Sequence, residues 1–135
     1  MSTMETQTIT KGPEVFYPSS DGEPMAETPI HIRALILLLQ AMEDFLGART
    51  DIYIAADMFW YWVEDNPQAS RAPDLMVIKG VGRAERRSFF SWREHGAVPC
   101  LIVEITSEKT WREDLNEKRQ LYAQLGVAEY YVFDP

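Results

Sequence analysis

Two carboxylates and a lysine occupy positions that the surrounding sequence predicts to be buried. Glu104 lies in the apolar run CLIVEIT (100–106), where apolar residues fill both alternating faces, as in a strand covered on both sides. Asp74 opens a second apolar run, DLMVIKGVG (74–82). An isolated buried carboxylate is costly unless it is paired, protonated or bound to a metal. Both acids are therefore expected to have partners.

The candidate partner on the helical side is Lys118. The segment WREDLNEKRQLYAQL (111–125), followed by a glycine, predicts a helix. One face of this helix is formed by residues spaced alternately four and three positions apart, namely Trp111, Leu115, Lys118, Tyr122 and Leu125. This face is expected to point into the protein. A helix-surface pair between Lys118 and Asp114, one turn earlier, is the alternative that requires no site.

Asp74, Glu104 and Lys118 suggest one chemistry if their elements meet at a sheet edge. Two carboxylates can hold Mg²⁺, and an ammonium group can position a water or neutralise charge on a phosphate. This is the chemistry of metal-dependent phosphodiester hydrolysis. A buried Asp–Lys–Glu network with a purely structural role would leave the same pattern, so the residues alone keep both interpretations open.

Composition limits the class of protein. The chain has 135 residues, 46% hydrophobic and 25% charged, as expected for one folded domain. A net charge of -8 argues against a general nucleic-acid coat, so any contact with DNA must be local. Cys100 is the single cysteine, which excludes an internal disulfide. Without a secretion signal or a membrane-spanning apolar stretch, we expect a cytoplasmic protein with no membrane association.

The N-terminal part predicts an arm and then a long helix. Residues 1–27 are polar and interrupted by prolines, whereas residues 28–135 carry the strand and helix signals of one domain. Thr28 and Pro29 are typical of a helix start, and the apolar segment that follows predicts a helix to about Phe45. Its polar stripe is narrow, so we expect it to be buried on most sides.

The remaining segments predict a sheet. DIYIAADMFWYWVE (51–64) favours one long strand or a hairpin arm, and AEYYVFDP (128–135) favours a last strand. Residues 83–96 are expected to make one or two helical turns. Strands that alternate with helices in this way indicate a mixed sheet flanked by helices.

Two other features have a functional and a structural interpretation. The aromatic run Trp60, Tyr61 and Trp62 could stack on nucleobases, but core and dimer contacts are favoured because alternate residues of a strand face the interior. A basic cluster could grip a DNA backbone or form a solvated loop. It consists of Lys79, Arg83, Arg86, Arg87 and Arg93.

Five motifs in order carry a family resemblance over nearly the whole chain. They are YPSSDGEPMAET (17–28) before a long apolar helix, ADMFWYWVE (56–64), APDLMVIKGV (72–81), LIVEITSEKT (101–110) with a lysine in the next helix, and GVAEYYVFDP (126–135). In these motifs the chain resembles the Uma-two family, which belongs to the PD-(D/E)xK restriction-endonuclease-like superfamily.

The resemblance implies an α/β fold with a restriction-endonuclease-like core in α-β-β-β-α-β order. Members of the family usually continue past the DP with further strands, so this core would be shortened at its C-terminal side. The resemblance also implies that Asp74, Glu104 and the carbonyl of Ile105 bind Mg²⁺ or Mn²⁺. Lys118 would be the superfamily's lysine, moved onto the helix, because Thr106 stands where the strand lysine would fall.

The function expected on these grounds is metal-dependent hydrolysis of DNA, with Asp74, Glu104 and Lys118 as catalytic residues. His31 lies where the family often has a histidine on its first helix. The alternative is a non-catalytic interaction or self-association module that retains the nuclease fold. It is favoured by the low pI and by Thr106, and a homodimer would fit it.

Overall fold

The computed structural model describes residues 14–20 and 28–135, and the structural statements below concern these residues. Of the predicted arm, residues 1–13 and 21–27 lie outside the described residues. The helices are α1 (Pro29–Leu46), α2 (Trp111–Leu115) and α3 (Glu117–Gln124), with a 3-10 turn at Ser91–Arg93. The strands are β1 (Ile52–Ala56), β2 (Phe59–Tyr61), β3 (Ser70–Arg71), β4 (Leu75–Lys79), β5 (Ser88–Phe90), β6 (Leu101–Ile105) and β7 (Glu129–Phe133).

The main sheet has the strand order β1-β4-β6-β7. β4 pairs antiparallel with β1 and with β6, and β6 pairs parallel with β7. Leu75 lies opposite Val103, so the residues just before and after them, Asp74 and Glu104, meet at the same end of the strand pair. With the smaller sheet left out, the elements follow one another in the predicted α-β-β-β-α-β order.

Helix α1 begins as the sequence predicts. Thr28 adopts extended backbone angles, and its hydroxyl oxygen accepts a hydrogen bond from the backbone N–H of His31 at 3.2 Å. This is an N-cap, which satisfies one of the free N–H groups of the first turn. The prediction that this helix is buried on most sides is wrong. Only Ala34 and Leu35 are buried, and the apolar residues that remain exposed are Ile30, Ile32, Ile36, Leu37 and Phe45.

The segment 51–64 forms neither one long strand nor a hairpin arm. β1 ends at Ala56, Asp57 has a positive φ of 50°, and β2 then joins a different sheet. The turn at Asp57 uses a backbone region that Asp tolerates better than most residues. β2 lies between β3 and β5 in the smaller sheet. β5 and the 3-10 turn occupy the segment for which helical turns were predicted.

The predicted helix 111–125 is broken at Asn116. The break separates α2 from α3, and Asn116 has φ -117° and ψ -78°. Its side-chain amide donates to the carbonyl of Arg112 at 2.8 Å, the kind of local bond by which Asn competes with helical geometry. The inward face therefore changes. Trp111 and Leu115 are exposed, whereas Asp114 and Tyr122 are buried.

Hydrophobic cores lie on both faces of the main sheet. α1 covers one face through Ala34 and Leu35, which pack with Leu75, Val103 and Ile105. The smaller sheet and α3 cover the other face, where the buried side chains include Met76, Ile102, Trp60, Phe89 and Tyr122. β6 is thus covered on both sides, as its apolar sequence predicts. In the described part of the chain, we find no helix with the length and apolar character needed to span a membrane.

Candidate functional site

Glu104 lies deep between the main sheet and α3, with a relative exposure of 2%. Its Oε1 accepts the backbone N–H of Asp74 at 2.9 Å. Its Oε2 accepts the hydroxyl of Tyr122 at 3.2 Å and lies 3.3 Å from Nζ of Lys118. The carboxylate is therefore held from the neighbouring strand and from the helix at once, which explains how an acid is tolerated in the run CLIVEIT.

Asp74 lies beside Glu104 at the entrance to β4. Its Oδ2 accepts the backbone N–H of Ile105 at 2.7 Å, and its Oδ1 lies 3.6 Å from Nε2 of His31 on α1. Asp74 and Glu104 thus exchange contacts across the two strands, each carboxylate bonded to the backbone of the other strand. Because its side chain keeps 18% of its accessible surface, Asp74 lies where solvent and a ligand can reach it.

Lys118 reaches this pair from α3. Its Nζ lies 2.9 Å from Oδ1 of Asp114 and 3.3 Å from Oε2 of Glu104. Both sequence interpretations of Lys118 are therefore present at once, because it pairs with its helix neighbour and also reaches the sheet. The pair with Asp114 is not on the surface, however, since Asp114 is only 2% exposed. Lys118 itself retains 20% of its side-chain surface.

Sequence reasoning missed Asp114 and Tyr122 as members of this site. Asp114, Lys118 and Tyr122 follow one another at intervals of four, so they would share one face of a continuous helix. This spacing was overlooked because the apolar residues Trp111 and Leu115 led to the prediction that their own face of the helix points inward. Tyr130 on β7 adds a further contact, because its hydroxyl donates to the carbonyl of Asp114 at 2.7 Å.

The electrostatics of the site are dominated by burial. Burial raises the pKa of Glu104 from 4.5 to about 7; Lys118 opposes this rise and the negative charge of Asp74 adds to it. Burial alone would lower the pKa of Lys118, but Glu104 and Asp114 outweigh it and raise that pKa. Burial and the nearby Glu104 also raise the pKa of the Tyr122 hydroxyl, which stays a hydrogen-bond donor.

The donor atoms that could hold a hard cation at this site come from two carboxylates. Among residues 14–20 and 28–135, we find no group of three or more His, Cys, Asp or Glu side chains arranged to hold a metal. Asp74 and Glu104 nevertheless offer adjacent carboxylates. The site contains three acidic side chains, those of Asp74, Glu104 and Asp114, and one lysine, so acidic groups predominate. Mg²⁺ commonly binds through one or two carboxylates and keeps several waters, so this donor set fits it.

Thr106 does not take the place of the missing strand lysine. Its backbone N–H donates to the carbonyl of Phe133 at 2.8 Å, which prolongs the pairing of β6 with β7. Its side chain is buried, with Oγ1 3.5 Å from Oγ1 of Thr110. Within the described residues, the positive charge beside Glu104 comes from Lys118.

The aromatic run lies mainly in the core, as the sequence favours. Trp60 and Tyr61 are buried, and the indole N–H of Trp60 donates to Oγ of Ser91 at 2.9 Å. The ring of Trp60 stacks on that of Tyr122 at 6.2 Å between centroids. Trp60 therefore supports the helix residue that holds Glu104.

The mixed sheet carries one acid at the start of β4 and one on the neighbouring strand β6, and a lysine lies on the helix that follows. This arrangement is consistent with a restriction-endonuclease-like α/β protein. The Uma2 family model, described as "Putative restriction endonuclease", matches residues 4–135, and the chain belongs to this family. The match confirms the resemblance seen in the sequence motifs and supports a nuclease-like function. None of the curated proteins matches the chain.

Proposed function

We propose that the protein hydrolyses DNA phosphodiester bonds with the help of a divalent metal ion, and that Asp74, Glu104 and Lys118 carry the reaction. The observation that carries the proposal is their convergence, with Lys118 3.3 Å from Glu104 and Asp74 bonded to the same strand end. The Uma2 family match supports a nuclease, and proteins of the restriction-endonuclease-like class typically use a divalent metal.

The carboxylates of Asp74 and Glu104, together with the carbonyl of Ile105, would hold Mg²⁺ or Mn²⁺. A metal bound there supplies an acidic water and stabilises negative charge on phosphate oxygens. The backbone N–H groups of Asp74 and Ile105 keep both carboxylates in fixed orientations before anything binds. Such support reduces the reorganisation that binding would otherwise require.

Lys118 serves as the positive group of the site. Its ammonium stays charged because Glu104 and Asp114 raise its pKa, and it can orient a water or offset charge that develops on the phosphate. Asp114 anchors it at 2.9 Å, so Lys118 can loosen its contact with Glu104 and keep a partner. Glu104 must lose its proton to bind a cation, which becomes easier above a pH of about 7.

Cleavage of supercoiled plasmid in the presence of Mg²⁺ or Mn²⁺ tests the proposal. We expect nicking by the wild-type protein, and a loss of about a hundredfold or more in Asp74→Asn and Lys118→Ala, because each change removes a group that acts on the metal or the phosphate. Asp44→Asn is the matched control, since Asp44 is exposed on α1. Circular dichroism checks that each variant is folded. Equal cleavage by all four proteins would refute the assignment.

One observation favours the alternative of a non-catalytic interaction module. The exposed side of α1 carries Ile36, Leu37 and Phe45, and the edge strand β7 exposes Tyr131 and Phe133. Exposed apolar residues of this kind are typical of protein contacts. A protein that cleaves no DNA but forms a stable dimer in light scattering would favour this second function.

A further inference from the structure

A cleft of about 530 Å³ lies on the outer face of the smaller sheet, away from Asp74 and Glu104. Its walls come from the segment 14–20, from β5 and from the 3-10 turn, and include Phe16, Tyr17, Arg87, Ser88, Phe90 and Arg93. The volume is within the range of small-molecule sites. None of these residues belongs to the proposed hydrolytic site, so the cleft needs its own explanation.

The aromatic wall of the cleft is built on a fixed base. The ring of Tyr17 lies 5.2 Å from those of Tyr61 and Phe90 and 5.5 Å from that of Trp92, measured between centroids. The Tyr17 hydroxyl also accepts the backbone N–H of Asp65 at 2.8 Å. Next to this docked ring, Phe16 is 77% exposed. The cleft thus offers an uncovered aromatic ring on a segment that is held in place.

The charge of the cleft is positive although the chain as a whole is acidic. The guanidinium of Arg86 is engaged by both carboxylate oxygens of Glu94, at 2.7 and 2.8 Å. Arg93 lies over the ring of Phe90 at 4.1 Å, which leaves its N–H groups for other partners. Arg87 is exposed, and we find no hydrogen bond or ion pair from its side chain to any described residue. Arg87 and Arg93 are therefore available to an anion.

Ser88 provides an independent indication of a ligand. It lines the cleft with a relative exposure of 7%, and its hydroxyl has no hydrogen-bond partner among the described residues. Ser88 is two residues from Phe90 on β5, so both side chains lie on the same face of the strand. A buried hydroxyl without a partner costs free energy, which a ligand in the cleft would recover.

We propose that this cleft binds a nucleotide unit, a planar base together with its phosphate. Phe16 stacks on the base, as aromatic side chains do in single-strand binders. Arg87 and Arg93 pair with the phosphate, and the Ser88 hydroxyl donates to an oxygen of the ligand. The nucleotide could be free or part of an unpaired DNA strand, and the same chemistry serves both. The assignment does not depend on cleavage at Asp74 and Glu104.

Binding is measured without cleavage, in EDTA, by fluorescence anisotropy of a labelled single-stranded oligodeoxynucleotide. The competitors are unlabelled deoxyadenosine monophosphate, deoxyadenosine, inorganic phosphate and the unlabelled single strand itself. We expect the nucleotide unit to bind better than either of its parts. Displacement by the monophosphate assigns the cleft to free nucleotides, and displacement by unlabelled single strand alone assigns it to a DNA strand. Displacement by inorganic phosphate as strong as by the nucleotide would overturn the proposal.

Variants locate the binding at the cleft. Phe16→Ala should weaken binding about tenfold, because the stacking contact is lost. Arg87→Gln should remove about one phosphate contact. The slope of log binding constant against log salt concentration should then become shallower by roughly 0.7. Ser88→Ala should weaken binding without lowering stability in urea, because the hydroxyl that is removed has no partner within the described chain. A merely structural role for Ser88 would not give this combination.

Matched controls exist for two of these changes. Phe45→Ala removes another exposed phenylalanine, and Arg112→Gln removes another exposed arginine. Both should bind the oligonucleotide as the wild type does. If Phe16→Ala, Arg87→Gln and Ser88→Ala also bind like the wild type, the proposal is wrong. Because binding is measured in EDTA, without metal and without cleavage, this outcome is distinct from a failure of the hydrolytic site.

Discussion

At the scale of single residues, Glu104 shows how the fold keeps an acid in its core. Oε1 is bonded to the backbone of Asp74, and Oε2 is shared by Tyr122 and Lys118. Removing one partner of a buried charged pair typically costs about 3–5 kcal/mol, because the other charge stays buried without compensation. Neither Lys118 nor Glu104 can therefore be replaced without an effect on stability, and activity assays need a folding control.

Glu104 should also make the stability of the protein depend on pH. Its pKa is raised from 4.5 to about 7 in the folded state, so the folded protein binds more protons than the unfolded chain between these values. The free energy of unfolding contributed by Glu104 is therefore highest below pH 4.5 and declines as pH rises towards 7. The loss amounts to a few kcal/mol at most, since one pKa unit is worth about 1.4 kcal/mol.

Urea unfolding of wild type and Glu104→Gln over this pH range measures the effect. Because Gln does not titrate, the stability of the wild type relative to the variant should fall as pH rises from 4.5 to 7. Glu113→Gln is the control, because Glu113 is exposed on α2 and its replacement should leave the wild-type pH dependence unchanged. Parallel pH curves for wild type and Glu104→Gln would contradict the prediction.

At the scale of elements, the start of α1 is tied to the site. Thr28 caps the N–H of His31, and the His31 imidazole lies 3.6 Å from Asp74. Thr28→Ala should lower the free energy of unfolding by about 1 kcal/mol, the usual value of an N-cap. Thr28→Ser keeps a capping hydroxyl and should lose much less. Thr50→Ala, outside the helix, should have little effect, and equal losses in all three variants in urea unfolding would exclude a capping role.

The elements that the sequence predicts well are those set by local signals. Thr28 and Pro29 define the start of α1, and the apolar residues on both faces of CLIVEIT predict a covered central strand. The break at Asn116 and the turn at Asp57 were not predicted, because each depends on a single residue in a segment whose pattern continues through it. Tertiary packing then decides which sheet β2 joins.

The meeting of Asp74 and Glu104 could be anticipated because Glu104 lies within one buried strand and Asp74 immediately before another. The burial of Asp114 could not be anticipated, since a charged residue on a helix is usually exposed. Its burial depends on the break at Asn116 and on Tyr130, which approaches from β7. The cleft beside Phe16 was likewise hidden, because its walls come from segments that are distant in sequence.

At the scale of the whole molecule, charge is distributed unevenly. The chain carries a net charge of -8, yet Arg87 and Arg93 lie together at one cleft and acidic groups crowd the proposed hydrolytic site. An acidic protein is repelled by DNA at long range, so binding should be weak unless local contacts offset this repulsion. A metal ion at Asp74 and Glu104 would reduce the local negative charge where the phosphate must approach.

Metal binding should therefore stabilise the whole protein, in a way that depends on pH. A ligand that binds only the folded state raises the free energy of unfolding, by about 2.7 kcal/mol at a hundred times its Kd. Because Glu104 must be ionised and its pKa is about 7, the apparent affinity should be about tenfold higher at pH 8 than at pH 6. Thermal unfolding with Mn²⁺ or Mg²⁺ at both pH values measures this, and Asp74→Asn should show little shift at either. A wild-type protein with no shift at pH 8, but with a stable dimer in light scattering, would instead favour the interaction module over the nuclease.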